Sequence, residues 1–234
     1  MKKITLLAFI MLSISLSFSQ EEESKTSFSA TLVSDTFFGF APLVTGSYSL
    51  NEKTDFTIYG IFWSGGTGAG WGNWAEFGAG VNFNVSDAIN INPQLGFTKG
   101  NLLSSFTSGA SVFGDGIVPN LVVGLDSESM EGELYFGYYL PLRSEGPTTA
   151  SYIHYWLNIG YKFSDFISAG GHFEHLYGGP ESGEEDVYQW FGPYIQFTDL
   201  KGRGFLRLAG GVGFVDENPG INNSFYKLSF GINL

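Results

Sequence analysis

The stretch Ala75-Glu-Phe-Gly-Ala-Gly-Val-Asn-Phe83 alternates an apolar residue with a glycine or a polar residue. Successive side chains of a β-strand point to opposite faces, so one face of this strand is apolar and the other is small or polar. The same alternation recurs in 89–97, 151–163 and 226–234. A strand with an apolar outward face and a polar inward face is typical of a transmembrane β-barrel. A soluble β-sandwich also alternates, but its exposed face should carry charge, whereas the second face here carries glycine, serine and asparagine.

Segments of about ten residues that end in Gly, Asn, Asp or Ser predict strands along the whole chain. They lie near 27–34, 40–49, 54–63, 74–84, 88–97, 116–125, 130–140, 151–162, 167–176, 187–197, 204–214 and 224–233. The connections between them alternate between short and long, and 35–39 is the one exception. Outer-membrane barrels alternate short periplasmic turns with longer outer loops. We therefore expect an all-β fold, a transmembrane antiparallel β-barrel of about 12 strands that closes as an up-and-down meander over 27–234.

The first residues predict export. Two lysines precede an apolar run over 4–16, and Ser17 and Ser19 suit the small positions before a cleavage site. The apolar run is shorter than the ~20 residues that a membrane-spanning helix needs. The sequence thus predicts a signal peptide at 1–19, cleaved near Ser19, and a periplasmic N-terminal segment at 20–26.

Composition excludes several classes of partner. Removing the two lysines of the predicted signal peptide from the 11 basic residues leaves 9 against 23 acidic residues, a net charge of −14. This charge excludes a nucleic-acid partner, which requires basic patches. The chain has no cysteine, so an exported form has no disulfides. Charged residues make up 15% of the chain and aromatic residues 17%, which favours a surface that faces lipid.

Aromatic residues predict two belts at the membrane interfaces. One set falls beside long connections: Trp63, Trp71, Trp74, Tyr138, Tyr139, Tyr177, Tyr188 and Trp190. The other set falls beside short turns: Tyr48, Phe56, Phe83, Phe163 and Phe197. Trp156 belongs to neither belt.

Two stretches carry a family resemblance. Phe37-Phe-Gly-Phe-Ala-Pro42 and Tyr59-Gly-Ile-Phe-Trp-Ser-Gly-Gly-Thr-Gly-Ala-Gly-Trp-Gly-Asn-Trp74 look like a family of Bacteroidota outer-membrane β-barrels of unknown function. The signal peptide ending in Phe-Ser-Gln is also similar to exported proteins of that group. The resemblance covers nearly the whole mature chain and implies fold and outer-membrane location, but no activity.

The C-terminal end Lys227-Leu-Ser-Phe-Gly-Ile-Asn-Leu234 resembles the insertion signal that the bacterial barrel-assembly machinery reads. Lys227, Ile232 and Leu234 match its pattern. Ser229 replaces a glycine, and Leu234 stands where an aromatic residue is usual. The resemblance implies the barrel-assembly machinery as a partner during insertion, with outer-membrane lipid around the folded barrel, and it leaves the oligomeric state open.

The alternation also assigns candidate residues to the lumen. These are Glu76, Asn82, Asn92, Glu131, Glu133, His154, Trp156, Asn158, Lys162, His172, Glu174, Arg207 and Lys227. His154, His172 and Glu174, with a serine such as Ser168, permit a hydrolase site as an alternative to a polar lumen network. Lys162 is expected to form an ion pair with Glu131 or Glu133.

No cofactor or metal site is predicted. The acidic run over 181–186 lacks the ordered ligand spacing of a calcium loop. Bulky lumen residues and acidic outer loops favour a narrow or closed barrel that, if it conducts at all, prefers cations or neutral solutes over anions. Three hypotheses follow: a narrow or closed pore or a structural or adhesive surface barrel without catalysis, an outer-membrane hydrolase, and a secreted β-sandwich binding module.

Overall fold

A computed structural model describes residues 25–63, 74–100, 103–104, 112–143, 149–215 and 223–234, although not the side chains of residues 74, 112 and 113. The predicted signal peptide, residues 20–24 and Trp71 lie outside the described residues. The described residues include no helix that is both long and apolar enough to cross a membrane.

Twelve strands account for most of the described residues. They are β1 (Thr26–Asp35), β2 (Gly39–Asn51), β3 (Thr54–Trp63), β4 (Trp74–Asn84), β5 (Ile89–Gly100), β6 (Val112–Asp126), β7 (Met130–Pro141), β8 (Tyr152–Lys162), β9 (Ile167–Gly178), β10 (Asp186–Thr198), β11 (Gly204–Gly213) and β12 (Ser224–Asn233). Each strand pairs antiparallel with its neighbours in sequence, and β1 also pairs with β12 from Ser29↔Asn233 to Asp35↔Lys227. The sheet therefore closes on itself, as predicted, and the hypothesis of a secreted β-sandwich is wrong.

The largest error in strand bounds concerns the β5–β6 connection, predicted to run over 98–115. In the structure β5 continues to Gly100 and β6 starts at Val112. A register shift between Thr98 and Lys99 lets the pairing resume at Lys99↔Phe113, and Gly114 adopts a φ of 84° there. Such a bulge inserts an extra residue without ending the pairing. Residues 98–100 of the predicted loop therefore belong to β5, and residues 112–115 belong to β6.

The two ends of the barrel differ. The terminal end, where β1 starts and β12 finishes, carries the short connections, whereas the loop end carries the long ones. At the loop end the β1–β2 connection is the exception, because only residues 36–38 separate the two strands. Asp35 Oδ1 accepts hydrogen bonds from the backbone N–H groups of Phe37 (2.9 Å) and Phe38 (2.6 Å), which fixes this tight turn.

The outer wall is apolar. Six large apolar residues on the predicted outward faces of the alternating segments are exposed: Phe77, Leu95, Leu157, Ile159, Leu228 and Ile232. Val81 and Ile91, on the same predicted faces, are half-buried. An apolar band on the outside of a closed barrel is the surface expected to contact the hydrocarbon core of a membrane.

Replacing Leu157 by arginine is expected to destabilise the barrel in lipid vesicles by ~2–4 kcal/mol. Leu157 lies midway along β8 on the outer wall and is 41% exposed, so its replacement places a charge in hydrocarbon. The measurement is reversible urea unfolding in vesicles. Glu128→Arg, in the short turn between β6 and β7, is the control and should change stability little. Equal stability of Leu157→Arg and the parent protein contradicts the assignment of this face to lipid.

Candidate functional site in the lumen

An aromatic layer crosses the lumen at the loop end. We define it as six buried side chains: Phe38, Trp63, Tyr139, Tyr188, Trp190 and Phe225. The ring centroids of Phe38 and Trp63 lie 4.4 Å apart, and those of Phe38 and Tyr188 lie 6.2 Å apart. Since β3 and β10 lie five strands apart around the ring of twelve, Phe38 joins nearly opposite walls. The layer therefore bridges the lumen between nearly opposite walls.

Stacking extends the aromatic layer along one side of the barrel. Tyr188 stacks on Trp190 at 4.0 Å, and Trp190 stacks on Phe225 at 5.1 Å with an interplanar angle of 4°. Trp190 is 0% exposed. Leu103, from the described part of the β5–β6 connection, is also fully buried against this cluster. The apolar packing at the loop end thus resembles a small protein core within the barrel.

These positions correct the predicted aromatic belt at the loop end. Trp63, Tyr139, Tyr188 and Trp190 were expected on the outer wall, but all four are buried inside the barrel. The rings at the terminal end do lie outside, and Phe163 is 67% exposed. The inward aromatic residues explain why segments 54–63 and 187–197 are apolar on both faces. The side chains of their inner face pack inside the lumen, whereas those of their outer face lie on the outside of the barrel.

A polar cluster lies beneath the aromatic layer. The Glu174 cluster consists of Glu174, His154, His172, Tyr188 and Lys227. Oε1 of the fully buried Glu174 carboxylate accepts from the Tyr188 hydroxyl (2.8 Å) and lies 2.9 Å from His154 Nε2. Oε2 accepts from Lys227 Nζ (2.5 Å) and lies 3.2 Å from His172 Nε2. Both oxygens are thus saturated, so the cluster ties β8, β9, β10 and β12 together.

Lys227 compensates the charge of the Glu174 carboxylate. Its Nζ atom also lies 3.9 Å from Asp35 Oδ2 and 5.2 Å from the centroid of the Trp156 ring. The second ring nitrogen of His172, Nδ1, lies 2.7 Å from Asn158 Oδ1. Each member therefore has a partner, as expected of buried polar groups in a stable network.

The hydrolase hypothesis requires a hydroxyl nucleophile within hydrogen-bond reach of a histidine. Ser168 does not provide it, because its Oγ donates to Glu131 Oε1 at 2.7 Å. Ser168 and His172 lie four residues apart on β9, which is roughly 13 Å along a strand. The hydrogen-bond partners of His154 and His172 are Glu174, Tyr188 and Asn158. Among the described residues no group of three or more side chains forms a metal-binding cluster.

Glu131 organises a second polar cluster nearer the terminal end. Its carboxylate accepts from Ser168, from the Tyr194 hydroxyl (2.9 Å) and from Gln196 Nε2 (2.5 Å). Arg207 Nε donates to Gln196 Oε1 at 2.9 Å, and its guanidinium lies 4.9 Å from the Tyr194 ring centroid. This cluster fills the lumen beside β9, β10 and β11.

The expected ion pair of Lys162 with Glu131 or Glu133 is wrong. Lys162 Nζ donates instead to Asp126 Oδ1 and to the Ser127 carbonyl at the terminal end. Glu133 Oε1 accepts from Trp156 Nε1 at 2.6 Å. Asp126 ends β6 beside the start of β7, so the lysine can stay near solvent rather than reach into the lumen.

A cavity of about 690 Å³ occupies the lumen between the aromatic layer and the terminal end. We call it the terminal cavity. Its rim includes Ser27, Ser47 and Leu234, and its inner end is formed by Tyr59 and Trp63. A smaller cavity of about 170 Å³ adjoins it on the side of β11 and β12 and reaches Lys227 and Arg207. The terminal cavity thus opens toward the terminal end of the barrel.

Polar side chains on β3, β4 and β5 line the terminal half of the lumen. Thr57 Oγ1 donates to Asn92 Oδ1 at 3.0 Å. Asn82 Nδ2 donates to Asp55 Oδ2 at 3.1 Å. Deeper in the lumen, the buried Glu76 accepts from the Tyr59 hydroxyl at 2.6 Å and from Trp63 Nε1 at 3.4 Å. These contacts place the candidates Glu76, Asn82 and Asn92 on the same wall.

Glycines make room for the Tyr59 ring against this wall. A Cβ atom at Gly78 would lie 2.2 Å from the Tyr59 ring, and one at Gly96 would lie 2.3 Å from the Tyr59 hydroxyl oxygen. The small face of the alternating pattern on β4 and β5 therefore has a packing role. It lets a large ring lie flat against the barrel wall without filling the terminal cavity.

A third polar group lies on the outer wall and was missed by reasoning from the sequence. His175 Nε2 lies 2.7 Å from Asp186 Oδ1, and its Nδ1 lies 2.8 Å from the Tyr155 hydroxyl. His175 follows Glu174 on β9, so its side chain points to the opposite face of the strand and lies outside the lumen. The short turn between β8 and β9, which aligns Tyr155 with His175, was the available signal in the sequence.

A family model matches the whole chain. A model described as "Family of unknown function (DUF6733)" matches residues 1–234. A search of curated proteins found no match to the chain. Among solved structures, the NanC porin is similar over 88% of this chain and 100% of its own, with 8% identity and a TM-score of 0.54.

Two further solved structures are similar at lower scores. The KdgM porin matches 88% of this chain and 98% of its own, with 11% identity and a TM-score of 0.48. LpxR from Salmonella typhimurium matches 88% of this chain and 99% of its own, with 8% identity and a TM-score of 0.46. Identities this low concern the fold alone, which is that of a porin-like closed barrel.

Proposed function

This chain belongs to the DUF6733 family of unknown function, and we propose that it is an outer-membrane barrel whose lumen is closed to through-passage. The observation that carries this proposal is the aromatic layer. Phe38 contacts Trp63 on one wall and lies near Tyr188 on the other, and Trp190 beside it is 0% exposed. A hydrated ion cannot pass between buried rings in van der Waals contact.

The Glu174 cluster supports the same proposal. It links β8, β9, β10 and β12 directly below the aromatic layer, and each of its five residues has a hydrogen-bond partner. Opening the lumen would have to break charge-assisted hydrogen bonds in a site of low dielectric, where they are strong. The closed state is therefore held by packing and by a saturated polar network together.

The role without catalysis rests on the same contacts. Within the described part of the chain, no serine is a partner of His154 or His172, and Ser168 belongs to the separate Glu131 cluster. A closed barrel whose described lumen histidines are held in a structural network suits a structural or adhesive surface protein. Lipase and protease assays on the purified protein test this part, with His154→Ala and His172→Ala as controls. Activity that both variants abolish would favour the hydrolase.

The location is part of the proposal. A signal peptide cleaved near Ser19, the C-terminal resemblance and the apolar outer wall favour insertion into the outer membrane by the barrel-assembly machinery. The resemblance of residues 37–42 and 59–74 favours a Bacteroidota source. Cell fractionation and the N-terminal sequence of the mature protein test location and cleavage. Recovery in the soluble periplasmic fraction would contradict the outer-membrane assignment.

Solute entry into vesicles tests the closed lumen. Vesicles that contain the purified, folded protein should exclude small sugars and ions as well as protein-free vesicles do. Heat-modifiable migration on detergent gels verifies that the barrel is folded in the same sample. Rapid entry of small solutes through folded protein would contradict a closed lumen.

A further inference from the structure

We infer that the terminal cavity is a binding site for a neutral polyhydroxylated solute of the size of a short oligosaccharide. This inference goes beyond the proposed function, because binding requires only the cavity between the terminal end and the aromatic layer. It does not require that the layer opens. Shape, hydrogen-bonding groups and charge each support it.

The terminal cavity has the shape of a pocket rather than a passage. Its volume of about 690 Å³ lies within the ~300–1,000 Å³ typical of small-molecule sites. Ser27 and Leu234 lie at its open rim, and Trp63 closes its inner end. A solute that enters from the terminal end is therefore surrounded by the wall and held against the underside of the aromatic layer.

Hydroxyl groups line the wall of β1 and β2 in pairs. Ser29 Oγ lies 2.6 Å from Thr45 Oγ1, and Ser27 Oγ lies 2.8 Å from Ser47 Oγ. Each pair shares one proton, so one further hydroxyl proton and several lone pairs remain for a ligand. All four residues line the terminal cavity. Groups that both donate and accept are the natural partners of sugar hydroxyls.

Amide groups continue this wall on β5. Asn92 Oδ1 accepts from Thr57 Oγ1 at 3.0 Å, and Gln94 Nε2 donates to Thr57 Oγ1 at 3.4 Å. The Asn92 amide N–H groups and the Gln94 carbonyl oxygen have no partner among the described residues. The same hydroxyl thus orients a free donor and a free acceptor side by side. A vicinal pair of hydroxyls can satisfy both.

Charge excludes an acidic ligand. Glu76 and Glu133 line the terminal cavity, and among the described residues no lysine or arginine does. Lys227 and Arg207 reach only the smaller adjoining cavity, where Lys227 is bonded to Glu174 and Arg207 to Gln196. An anion would face carboxylates at low dielectric without a neutralising partner. Apolar side chains such as Leu43, Ile61 and Val122 complete the lining and suit the C–H faces of sugar rings.

Titration of the purified full chain with disaccharides tests this site. Trp63 and Trp156 line the cavity and report binding through their fluorescence, and calorimetry gives the affinity. The detergent must lack a sugar head group. Maltose and cellobiose are the neutral probes, and digalacturonate is the anionic probe. We expect saturable binding of a neutral probe at roughly millimolar concentrations and no binding of the anion.

Variants locate the site. Asn92→Ala combined with Gln94→Ala should weaken binding of the neutral probe at least about fivefold, because two polar partners are lost. Gln189→Ala, on the outer face of β10, is the matched control and should leave binding unchanged. If the double variant does not fold, Thr57→Val, which removes the hydroxyl that orients both amides, serves in its place.

Three results overturn the inference: no binding of either neutral probe to the folded protein, tighter binding of digalacturonate, or equal affinities of the parent protein and the Asn92→Ala/Gln94→Ala variant. Solute entry into vesicles is a separate readout. A closed barrel that binds no sugar therefore contradicts only this inference, and a sugar-binding barrel that conducts contradicts only the proposed function.

Discussion

Replacing Phe38 and Trp63 together by alanine is expected to turn a silent barrel into one that conducts ions. The two rings lie 4.4 Å apart and supply one side of the aromatic layer. Trp63 also forms the inner end of the terminal cavity, so its removal joins that cavity to the space above the layer. The measurement is the current across a planar bilayer after insertion of equal amounts of each protein.

A matched control exists on the outer wall of the same hairpins. Phe40 is 51% exposed and Phe62 is 55% exposed, so Phe40→Ala with Phe62→Ala removes two rings without touching the lumen. This control should stay silent. Removal of a buried aromatic side chain costs ~3–5 kcal/mol in stability, so folding of the lumen variant must be verified by heat-modifiable migration. Silence of a folded Phe38→Ala/Trp63→Ala variant would contradict the role of the layer as the barrier.

Replacing Glu174 by glutamine is expected to destabilise the barrel by ~3–5 kcal/mol, the usual cost of removing one partner of a buried ion pair. The Lys227 side chain is 15% exposed, and its Nζ atom loses a partner at 2.5 Å. Asp35, at 3.9 Å, remains the only carboxylate within 4 Å of that nitrogen among the described residues. Reversible urea unfolding in vesicles measures the change.

A double variant separates the charge from the shape. Glu174→Gln combined with Lys227→Met removes both charges, so it should recover much of the lost stability, and the two effects should not be additive. Asp199→Asn is the surface control. Its hydrogen bond with Arg203 lowers the pKa of the Asp199 carboxyl, but both groups are exposed in a turn, so stability should change little. Additive effects of the two substitutions would show that Glu174 and Lys227 are not energetically coupled, which would contradict the ion pair.

The strands and their closure could be predicted from the sequence because alternation and connection length are local properties. A period of two assigns each residue to one face, and short turns fix the register of neighbouring strands. This reasoning placed His154, His172 and Glu174 on one wall, where the structure finds the register pairs Asn158↔His172 and Trp156↔Glu174. Contacts between adjacent strands were therefore accessible.

Contacts across the lumen were not accessible. Lys227 on β12 meets Glu174 on β9, and Phe38 from a turn meets Trp63 on β3, although no local pattern connects these positions. The prediction that aromatic residues near loops lie on the outer wall was used in preference to the alternation of inward and outward residues. Counting back from Gln196 in steps of two places Trp190 inward. The sequence therefore contained this signal, but the expected aromatic belt led to the opposite assignment.

The current through the unmodified protein in a planar bilayer tests the closed lumen most directly. If the aromatic layer blocks the lumen as proposed, the folded barrel should show no steps above the protein-free baseline in symmetric salt. Reversal potentials across a salt gradient complete the measurement, and any residual leak should prefer cations, since the terminal cavity presents Glu76 and Glu133. A large, stable and anion-selective conductance would contradict the account outright.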